Sequence, residues 1–486
     1  MFFIYILAAI WIIRIIYNLL TYTALWYVKE YRFDRMIVHL HTREGKNIFF
    51  PPFRKPPLGP RAVFIFTGSS VIIGGFVWMG GPALLVRLLI VDLLSFPISA
   101  LIVFLSKIPI YLYHEYLIQK ATNILRSHKQ MRVIGITGSY GKTSTKEILY
   151  TILSQKYKTL KTDASKNSPI AIAETVIQGL RPDHEVFIVE MGAYKRGEIE
   201  RMCSMVRPEI GVVTAINAQH QDLFGSIETT MKAKYELIKG LSSRRIALFN
   251  ANNEFTREMS EWARTDGASV RLFTTKKPAP SEPVDYRADH ITETQNGLRF
   301  VFYSGKTSKQ VVVSLFGLHH AGNVVAALAV AIECGMTPEE AVLACRFVQP
   351  FDKTMVPQMG VNGSLFIDDT FNNNPDAAKA AVDFLSTKKG KKILVFQPMI
   401  ELGSYAKESH REVGAYAGRV CDGIILTNAN YNESFMTGVR LSSRKIKVAV
   451  MSPVDAAEYI KNSVSNGDTV LFKGRESARA LRLLQK

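Results

Sequence analysis

The sequence predicts an α/β protein with an N-terminal membrane anchor, and three observations support this prediction. Three long apolar segments lie before residue 106. From residue 131 onward, short strand-like runs alternate with helical patterns, which is typical of parallel sheets covered by helices. A glycine-rich turn joins the first of these strands to the first helix. We therefore expect an anchor over residues 1–130, one α/β domain over 131–350 and a second over 351–486.

The composition limits the classes of function that are open to this chain. Its four cysteines are scattered and form no CxxC pair, which favours a reducing compartment over a disulfide scaffold or a zinc ribbon. The net charge of +18 is spread along the chain, and no nucleic-acid-binding module is visible. The charge therefore favours an anionic membrane leaflet and phosphorylated substrates rather than nucleic acid.

The apolar segments predict about three membrane-spanning helices. Residues 2–28 contain Arg14 as their only charge and are followed by no small-residue cleavage site, so a spanning helix is favoured over a signal peptide. Residues 63–79 and 83–105 are separated by a Gly-Gly-Pro turn, and a shallow re-entrant hairpin is the alternative for this pair. Residues 108–125 carry tyrosines among basic residues, which predicts an interfacial helix leading to the soluble part.

Charge bias predicts the orientation of the anchor. Residues 29–61 contain eight Lys or Arg against three acids, and residues 106–132 contain five against one. Both segments should be cytoplasmic. The chain would then be an integral plasma-membrane protein with its N-terminus outside the cell and all residues after Lys107 inside it. Arg14, Arg87 and Asp92 then lie at membrane depth. Pairing between helices is the favoured interpretation, and a site for a polar head group is the alternative.

The glycine-rich turn predicts an ATP site. Glycines at 135, 138 and 141 precede Lys142 and Thr143, between an apolar strand and a helix. Backbone N–H groups and the helix dipole would face a phosphate, Lys142 would neutralise it, and the Thr143 hydroxyl could ligate Mg²⁺. A chance glycine-rich turn with a structural lysine is the alternative. The turn residues expected to contact the nucleotide are Gly138, Ser139, Gly141, Lys142, Thr143 and Ser144.

From residue 131 to its end, the chain resembles the Mur ligase family. The motifs that carry this resemblance occur in the family's order. They are the Thr-Gly-x-x-Gly-Lys-Thr turn, Val189-Glu-Met-Gly192, Asn167-Ser168, Ala218-Gln-His220 before Leu223-Phe-Gly-Ser226, Ala233–Ile238, Asn250-Ala-Asn252, Gly317–Asn323, Asp368–Asn372 with Pro375, Met399–Gly403 with His410, and Lys473-Gly474. The pattern is most similar to the branch that adds D-alanyl-D-alanine to UDP-N-acetylmuramoyl-tripeptide. It implies a P-loop domain with a parallel sheet, followed by a Rossmann-like domain.

The resemblance also implies residue roles. Two Mg²⁺ sites would use Thr143, Glu190, His220 and a carbamylated Lys234. Further nucleotide contacts would come from Asn250, Asn323, Asp368 and Asp369. The catalytic residues would be Lys142, Lys234, His220 and Lys353. The alternatives are structural: a cap or an ion pair for Glu190, a structural histidine at 220, and a solvated lysine at 234.

The chain departs from the family pattern mainly in its C-terminal part. Asn252 replaces Asp, His320 replaces Asn, Lys353 replaces Arg, Gln397-Pro398 replaces Gly-Asp, and Arg475-Glu476 replaces Ser-Arg or Ser-Asn. Apolar helices also stand in place of the family's uridine-nucleotide domain. These departures leave ATP use intact and leave the amine substrate open.

The expected function is therefore an ATP-dependent carboxylate–amine ligase of cell-wall precursor synthesis, acting through an acyl phosphate. The precursor would be nucleotide-linked or lipid-linked, and the amine would resemble D-alanyl-D-alanine. Two alternatives remain at this point. One is another membrane-bound Mur-type ligase, such as a polyglutamate synthetase, and the other is a non-catalytic scaffold that binds a lipid-linked precursor.

Overall fold

A computed structural model gives the conformation of most of the chain. It describes residues 2–40, 45–79, 83–163, 166–217, 226–242, 244–278, 283–400, 402–442 and 446–485. Internal contacts divide the chain into two compact units, Met1–Leu117 and Ile118–Lys486. Each unit is described separately below.

The first unit is helical. Its elements are α1 (Phe2–Val28), α2 (Phe33–Leu40), α3 (Pro60–Trp78) and α4 (Leu84–Ser127), the last of which continues into the second unit. By length and composition, α1, α3 and α4 could each cross a membrane. The Gly-Gly-Pro turn at 80–82 lies outside the described residues.

Residues 108–125 are helical, as expected, and they form the C-terminal part of α4, which runs without interruption from Leu84 to Ser127. Pro97 and Pro109 lie inside α4. A single proline removes one intrahelical hydrogen bond, and the ladder continues where its neighbours remain helical. The sequence pattern thus located the change from apolar to amphipathic composition, but that change does not break the helix.

An ion pair joins α1 to α4. Arg14 Nε donates to Asp92 Oδ2 at 2.8 Å, Asn18 Nδ2 donates to Oδ1 at 3.0 Å, and Trp11 Nε1 donates to Oδ2 at 3.2 Å. The preferred interpretation of these charges as a pair between helices is confirmed. In an apolar medium an unpaired charge costs free energy, and pairing with the opposite charge offsets part of that cost for each residue.

The chain after α2 folds back along α1. Tyr22 Oη donates to the Ile48 carbonyl at 2.7 Å, and an Arg14 Nη donates to the Phe49 carbonyl at 3.1 Å. At 1.5 Å per residue, Arg14 lies roughly 20 Å along α1 from its end at Val28. Irregular backbone beside an apolar helix is tolerated where protein groups satisfy its carbonyls, as these two side chains do.

The first sheet of the second unit has nine strands. They are β1 (Arg132–Thr137), β2 (Thr159–Lys161), β3 (Val186–Glu190), β4 (Ile210–Val213), β5 (Ile246–Asn250), β6 (Ser269–Thr274), β7 (Tyr286–Thr294), β8 (Gly297–Ser304) and β9 (Thr307–Val313). Their order is β2-β3-β1-β4-β5-β6-β7-β8-β9. Pairing is parallel up to β6–β7 and antiparallel from β7 to β9, so β7, β8 and β9 form an antiparallel extension of the same sheet.

Helices cover both faces of this sheet, as the alternation predicted. They are α5 (Lys142–Leu153), α6 (Pro169–Gly179), α7 (Glu198–Val206), α8 (Ile227–Lys239), α9 (Glu254–Thr265), α10 (His320–Glu333) and α11 (Pro338–Ala344). One core contains α5 and α10 with Ile134 and Ile136 of β1. The other contains α6 to α9 with Val133 of the same strand. Alternating side chains of one strand thus enter two cores.

A second sheet follows, with six strands. They are β10 (Val356–Met359), β11 (Leu365–Asp369), β12 (Lys392–Phe396), β13 (Gly423–Leu426), β14 (Lys447–Val450) and β15 (Thr469–Lys473), in the order β10-β11-β15-β12-β13-β14. Only the edge strand β10 is antiparallel. The helices are α12 (Pro375–Ser386), α13 (Ala406–Val420), α14 (Asn432–Arg440), α15 (Pro453–Ser463) and α16 (Ser477–Leu484). The predicted second α/β domain is confirmed.

The ion pair between α1 and α4 should stabilise the first unit. Asp92→Leu should lower the free energy of unfolding by about 2 kcal/mol, less than a fully buried pair would cost because Arg14 is one-third exposed (34%). The measurement is thermal unfolding in detergent micelles. Arg14→Leu combined with Asp92→Leu should recover most of the loss, and an equal loss in both variants would show that the pair contributes nothing.

Candidate active site

The phosphate turn lies between β1 and α5, and its glycines are sterically required. Gly141 precedes α5 with φ +80°, and a Cβ there would lie 2.7 Å from Asn323 Oδ1. A Cβ on Gly138 would lie 2.1 Å from Thr214 Oγ1. Only glycine avoids both the clash and the left-handed strain. The backbone N–H of Ser139 donates to the Ala215 carbonyl at 2.7 Å, which ties the turn to the end of β4.

Lys142 holds its ammonium over the turn. Its Nζ donates to the Gly138 carbonyl at 2.6 Å and to the Ser139 carbonyl at 3.3 Å. Burial lowers the pKa of the ammonium, and the carboxylate of Glu190 opposes this shift. A cation that is held beside a helix N-terminus and only weakly solvated is suited to binding a phosphate group.

Glu190 ends β3 and faces the same turn. Its side chain is almost fully buried (2% exposed). Oε2 accepts from Thr143 Oγ1 at 3.0 Å, and Oε1 accepts from Asn167 Nδ2 at 3.3 Å. A hydroxyl and a carboxylate in contact are both ligands that Mg²⁺ uses, so this donor set fits that ion. Among the described residues, no three His, Cys, Asp or Glu side chains cluster, and the donor pair found there is Thr143 with Glu190.

Lys146 is a site residue that the sequence analysis missed. It is fully buried, and its Nζ lies 3.3 Å from carboxylate oxygens of both Glu190 and Glu147. Lys161 also contacts Glu147. The available signal was spacing, because residue 146 lies four positions after Lys142 and therefore on the same face of α5.

Lys234 lies inside α8 and is buried, with 2% of its surface exposed. Burial and the charge of Lys142 hold the pKa of its ammonium well below the ordinary value. The alternative of a solvated surface lysine is therefore wrong. The role that the resemblance implies for Lys234 remains a prediction. His220 and its motif at 218–225 lie outside the described residues.

Asp369 and Lys473 form a buried ion pair at the carboxyl ends of β11 and β15. Lys473 Nζ lies 2.5 Å from Asp369 Oδ2, and the two side chains are 3% and 8% exposed. The Asp368 side chain is bonded locally instead, since its Oδ1 accepts from the Thr370 hydroxyl at 2.6 Å. Burial raises the pKa of the Asp368 carboxyl. Of the two acids, only Asp369 lines the cavity described next.

The phosphate turn and the second sheet face each other across a cavity of about 590 Å³, a volume that suits a small-molecule ligand. Of the predicted residues, it is lined by Ser139, Gly141, Lys142, Thr143, Ser144, Asn323, Lys353 and Asp369. Asn250 does not line it. The Asn250 amide donates to the Thr214 carbonyl at 2.9 Å and accepts from the Asn252 N–H at 3.0 Å, so its visible role is to shape the ends of β4 and β5.

A second cavity, of about 230 Å³, shares Lys142 and Thr143 with the first. Its walls come from both sheets. They include Asn167, Glu190, Tyr194, Asn373, Gln397, Pro398 and Arg475. Lys142 and Thr143 thus lie between the two cavities, and the smaller cavity also contains Glu190, the carboxylate that contacts Thr143.

Two departures from the family pattern contact each other beside this second cavity. The Glu476 N–H donates to Gln397 Oε1 at 3.0 Å. Glu476 Oε2 in turn accepts from Thr427 Oγ1 at 2.6 Å and Asn428 Nδ2 at 2.7 Å. The replaced segments therefore form one connected arrangement rather than independent changes.

His410 has a structural role in the same domain. Its Nε2 accepts from the Met399 N–H at 2.9 Å, and its Nδ1 lies 2.6 Å from the Ala406 carbonyl, to which it donates in that tautomer. Burial lowers the pKa of the imidazole, which keeps it in this neutral form. The histidine thereby fixes the segment that follows β12.

The Asp369–Lys473 pair should be required for stability as well as for the shape of the cavity. Asp369→Asn would leave Lys473 buried without a counter-charge, at a cost on the order of 3–5 kcal/mol. Thermal unfolding of the detergent-solubilised chain should show a large loss of stability. Asp369→Leu combined with Lys473→Met should recover much of it, and an unchanged unfolding temperature in Asp369→Asn would contradict the assignment.

Two family models match the second unit. The Mur ligase middle domain matches residues 136–331, and the Mur ligase, glutamate ligase domain matches residues 355–476. UDP-N-acetylmuramoyl-tripeptide–D-alanyl-D-alanine ligase of Escherichia coli is 32% identical over 293 residues. That match covers 60% of this chain, and the chain spans 63% of the length of this relative.

Solved structures agree with these matches. MurF from Acinetobacter baumannii has a TM-score of 0.69 at 26% identity, covering 77% of this chain and 81% of that one. The MurF ligase from Thermotoga maritima in complex with ADP has a TM-score of 0.66 at 25% identity, covering 76% and 83%. With both family domains in order and both folds reproduced, the chain belongs to the Mur ligase family.

Proposed function

We propose that the chain is a membrane-anchored, ATP-dependent ligase that joins a muramoyl-peptide carboxylate to a D-alanyl-D-alanine-like amine. The observation that carries this proposal is the shared cavity. It places Lys142 of the phosphate turn opposite the Asp369–Lys473 pair of the second sheet. Relatives named for this ligation, one of them solved with ADP, support the same activity. A non-catalytic scaffold protein would have no need to retain Lys142 on one wall of a nucleotide-sized cavity and the Asp369–Lys473 pair on the other.

The proposed reaction has two steps. The substrate carboxylate attacks the γ-phosphoryl group of ATP, which gives an acyl phosphate and ADP. The amine then attacks the acyl carbon, which forms the amide and releases phosphate and a proton. Lys142 would offset charge on the transferred phosphoryl group, and the facing domains would exclude water. Lys353, beside the cavity and with its Nζ 3.8 Å from Asp352, would add a second cation near the nucleotide.

Thr143 and Glu190 would hold Mg²⁺, whose charge would stabilise the phosphates. A second Mg²⁺ would use His220 and Lys234, as the resemblance implies. Carbamylation requires an uncharged amine, and the burial that depresses the pKa of Lys234 supplies one. The modified lysine would carry the anionic oxygen that an ammonium lacks.

The second cavity would hold the reacting carboxylate and the amine. It contains Glu190 on one wall and Gln397 and Arg475 on the other. The relatives' amine is D-alanyl-D-alanine, and because Gln397 and Glu476 alter the family pattern on this wall, the amine accepted here would be D-alanyl-D-alanine or a variant of it that the altered wall selects. A polyglutamate-type ligase is less well supported, because the curated relatives cited above add D-alanyl-D-alanine.

The proposed location follows from the charge bias of the sequence. An integral plasma-membrane protein with its N-terminus outside would keep the ligase domains in the cytoplasm, where ATP is available. The family models match only residues from 136 onward, so the acceptor could be nucleotide-linked, as in the relatives, or lipid-linked. Assays on both forms of the precursor decide between them.

Phosphate release tests the activity and the role of Lys142. The purified full chain should release phosphate from ATP only when a muramoyl-tripeptide precursor and D-alanyl-D-alanine are both present. Lys142→Ala should lower kcat by about 10²–10³-fold, because one charged contact to the transferred group is lost. Lys158→Ala, at an exposed lysine, is the matched control. Near-normal turnover in Lys142→Ala would refute the ligase mechanism.

Lys234→Ala tests the proposed carbamate. This variant should be nearly inactive, and added short carboxylates should restore part of its activity by supplying an anionic oxygen. Lys232→Ala, at an exposed lysine of the same helix that pairs with Glu228, should retain activity. Full activity in Lys234→Ala, or a loss as large in Lys232→Ala, would exclude the carbamate role.

A further inference from the structure

A pocket in the first unit has no part in the proposed ligase chemistry. Its volume is about 350 Å³, and its lining includes Tyr31, Arg32, Arg61, Lys107, Tyr111 and His114. None of the described residues that line it is acidic. We propose that this basic pocket binds the phosphate-bearing head group of a membrane lipid.

The basic pocket lies where the predicted spans end. Tyr31 follows the end of α1 by three residues, and Arg61 is the second residue of α3. Lys107 follows the apolar stretch of α4, which sequence analysis ended at residue 105. All three therefore belong to one surface of the predicted bilayer, the surface that charge bias assigns to the cytoplasm. Lipid phosphates lie at this level.

Aromatic rings, rather than carboxylates, hold the cations in place. The Arg61 guanidinium lies 4.1 Å from the ring centre of Tyr31, and Lys107 Nζ lies 4.5 Å from that of Phe33. Arg61 Nε also donates to Ser106 Oγ at 3.3 Å. Within the described residues, neither cation forms an ion pair with a carboxylate. Stacking orients a cation without neutralising it, so the pocket keeps a positive charge for an anion.

The backbone at the rim is held in an unfavourable conformation. Glu30 and Tyr31 are consecutive non-glycine residues with φ of 54° and 56°. The Tyr31 N–H donates to the Trp26 carbonyl at 2.8 Å, and the Trp26 indole is itself fixed by a 3.2 Å bond to Ser99 Oγ. Such strain persists where the surroundings impose it, commonly at ligand sites. Here it directs Tyr31 onto Arg61.

The surroundings favour a lipid as the source of the phosphate. The guanidinium and ammonium groups match phosphate oxygens, which accept charge-assisted hydrogen bonds. Beside the basic pocket, α4 exposes Phe104, Ile108 and Tyr111, each more than half exposed. Acyl chains could cover this apolar surface while the phosphate enters the pocket. A soluble phosphate would leave it uncovered.

The test is lipid binding by the full chain in detergent, measured by native mass spectrometry. The probe is dioleoylphosphatidylglycerol, and dioleoylglycerol, which has the same acyl chains without the phosphate, is the comparison. The wild type should retain one phosphatidylglycerol saturably and no dioleoylglycerol. Arg61→Gln and Lys107→Gln should each weaken this binding about tenfold or more. Lys107→Arg should retain it, and Lys55→Gln, outside the basic pocket, should change it less than twofold.

Several results would overturn the proposal. Equal weakening by Lys55→Gln would indicate diffuse surface charge, and retention of dioleoylglycerol would indicate acyl-chain contact alone. Inorganic phosphate binding as tightly as the lipid would indicate a soluble ligand. Unchanged binding in Lys107→Gln, whose exposed side chain makes misfolding an inadequate explanation, would also exclude the site. The readout needs no ATP turnover, so failure of the ligase proposal would leave this result interpretable.

Discussion

The buried carboxylate of Glu190 is the constraint on which the arrangement of the site depends. An ionised carboxylate taken out of water costs several kcal/mol unless partners compensate it. Here three partners come from two elements, namely Thr143 and Lys146 of α5 and Asn167 of the loop before α6. Satisfying this one charge therefore fixes α5 against β3 and closes the loop over both.

The same constraint separates the roles of the two lysines of α5. Lys146 is buried between Glu190 and Glu147, and so balances the charge of the buried Glu190 carboxylate. Lys142, one helical turn earlier, donates to carbonyls of the turn instead. Because Lys146 already serves the carboxylates, Lys142 is not committed to them and can respond to a phosphate. A single lysine could not meet both demands.

Much of the second unit could be predicted because its strands are buried on both faces. The limits of β3, β12 and β13 follow from continuous apolar runs between turn residues. What could not be predicted depends on tertiary partners. The continuity of α4 required knowing that Pro109 is accommodated, and the position of Lys146 required knowing where β3 ends. Sequence spacing identifies which side chains share a face of a helix, but it does not identify the charged residue that a neighbouring element places against that face.

The site residues show the same division between local and non-local information. The phosphate turn was predictable because glycine spacing, strand and helix are all local. Asn250 illustrates the opposite case, because its motif matched, yet its amide is used to join the ends of β4 and β5. Asp368 and Asp369 are adjacent in sequence, but the alternation of a strand sends them to opposite faces. Only the second meets Lys473.

The departures from the family pattern gain meaning from their positions. Those at Gln397 and Glu476 contact one another, and Gln397 lines the cavity that contains Glu190. The larger cavity combines groups that match the pattern, Lys142, Asn323 and Asp369, with two departures, His320 and Lys353. A relaxed, non-functional site would be expected to lose the lysine of the phosphate turn and the buried Asp369–Lys473 pair, and this chain keeps both. Changed side chains around retained phosphate-binding groups, with Gln397 and Glu476 bonded to each other, are instead what altered selectivity for the attacking amine would produce.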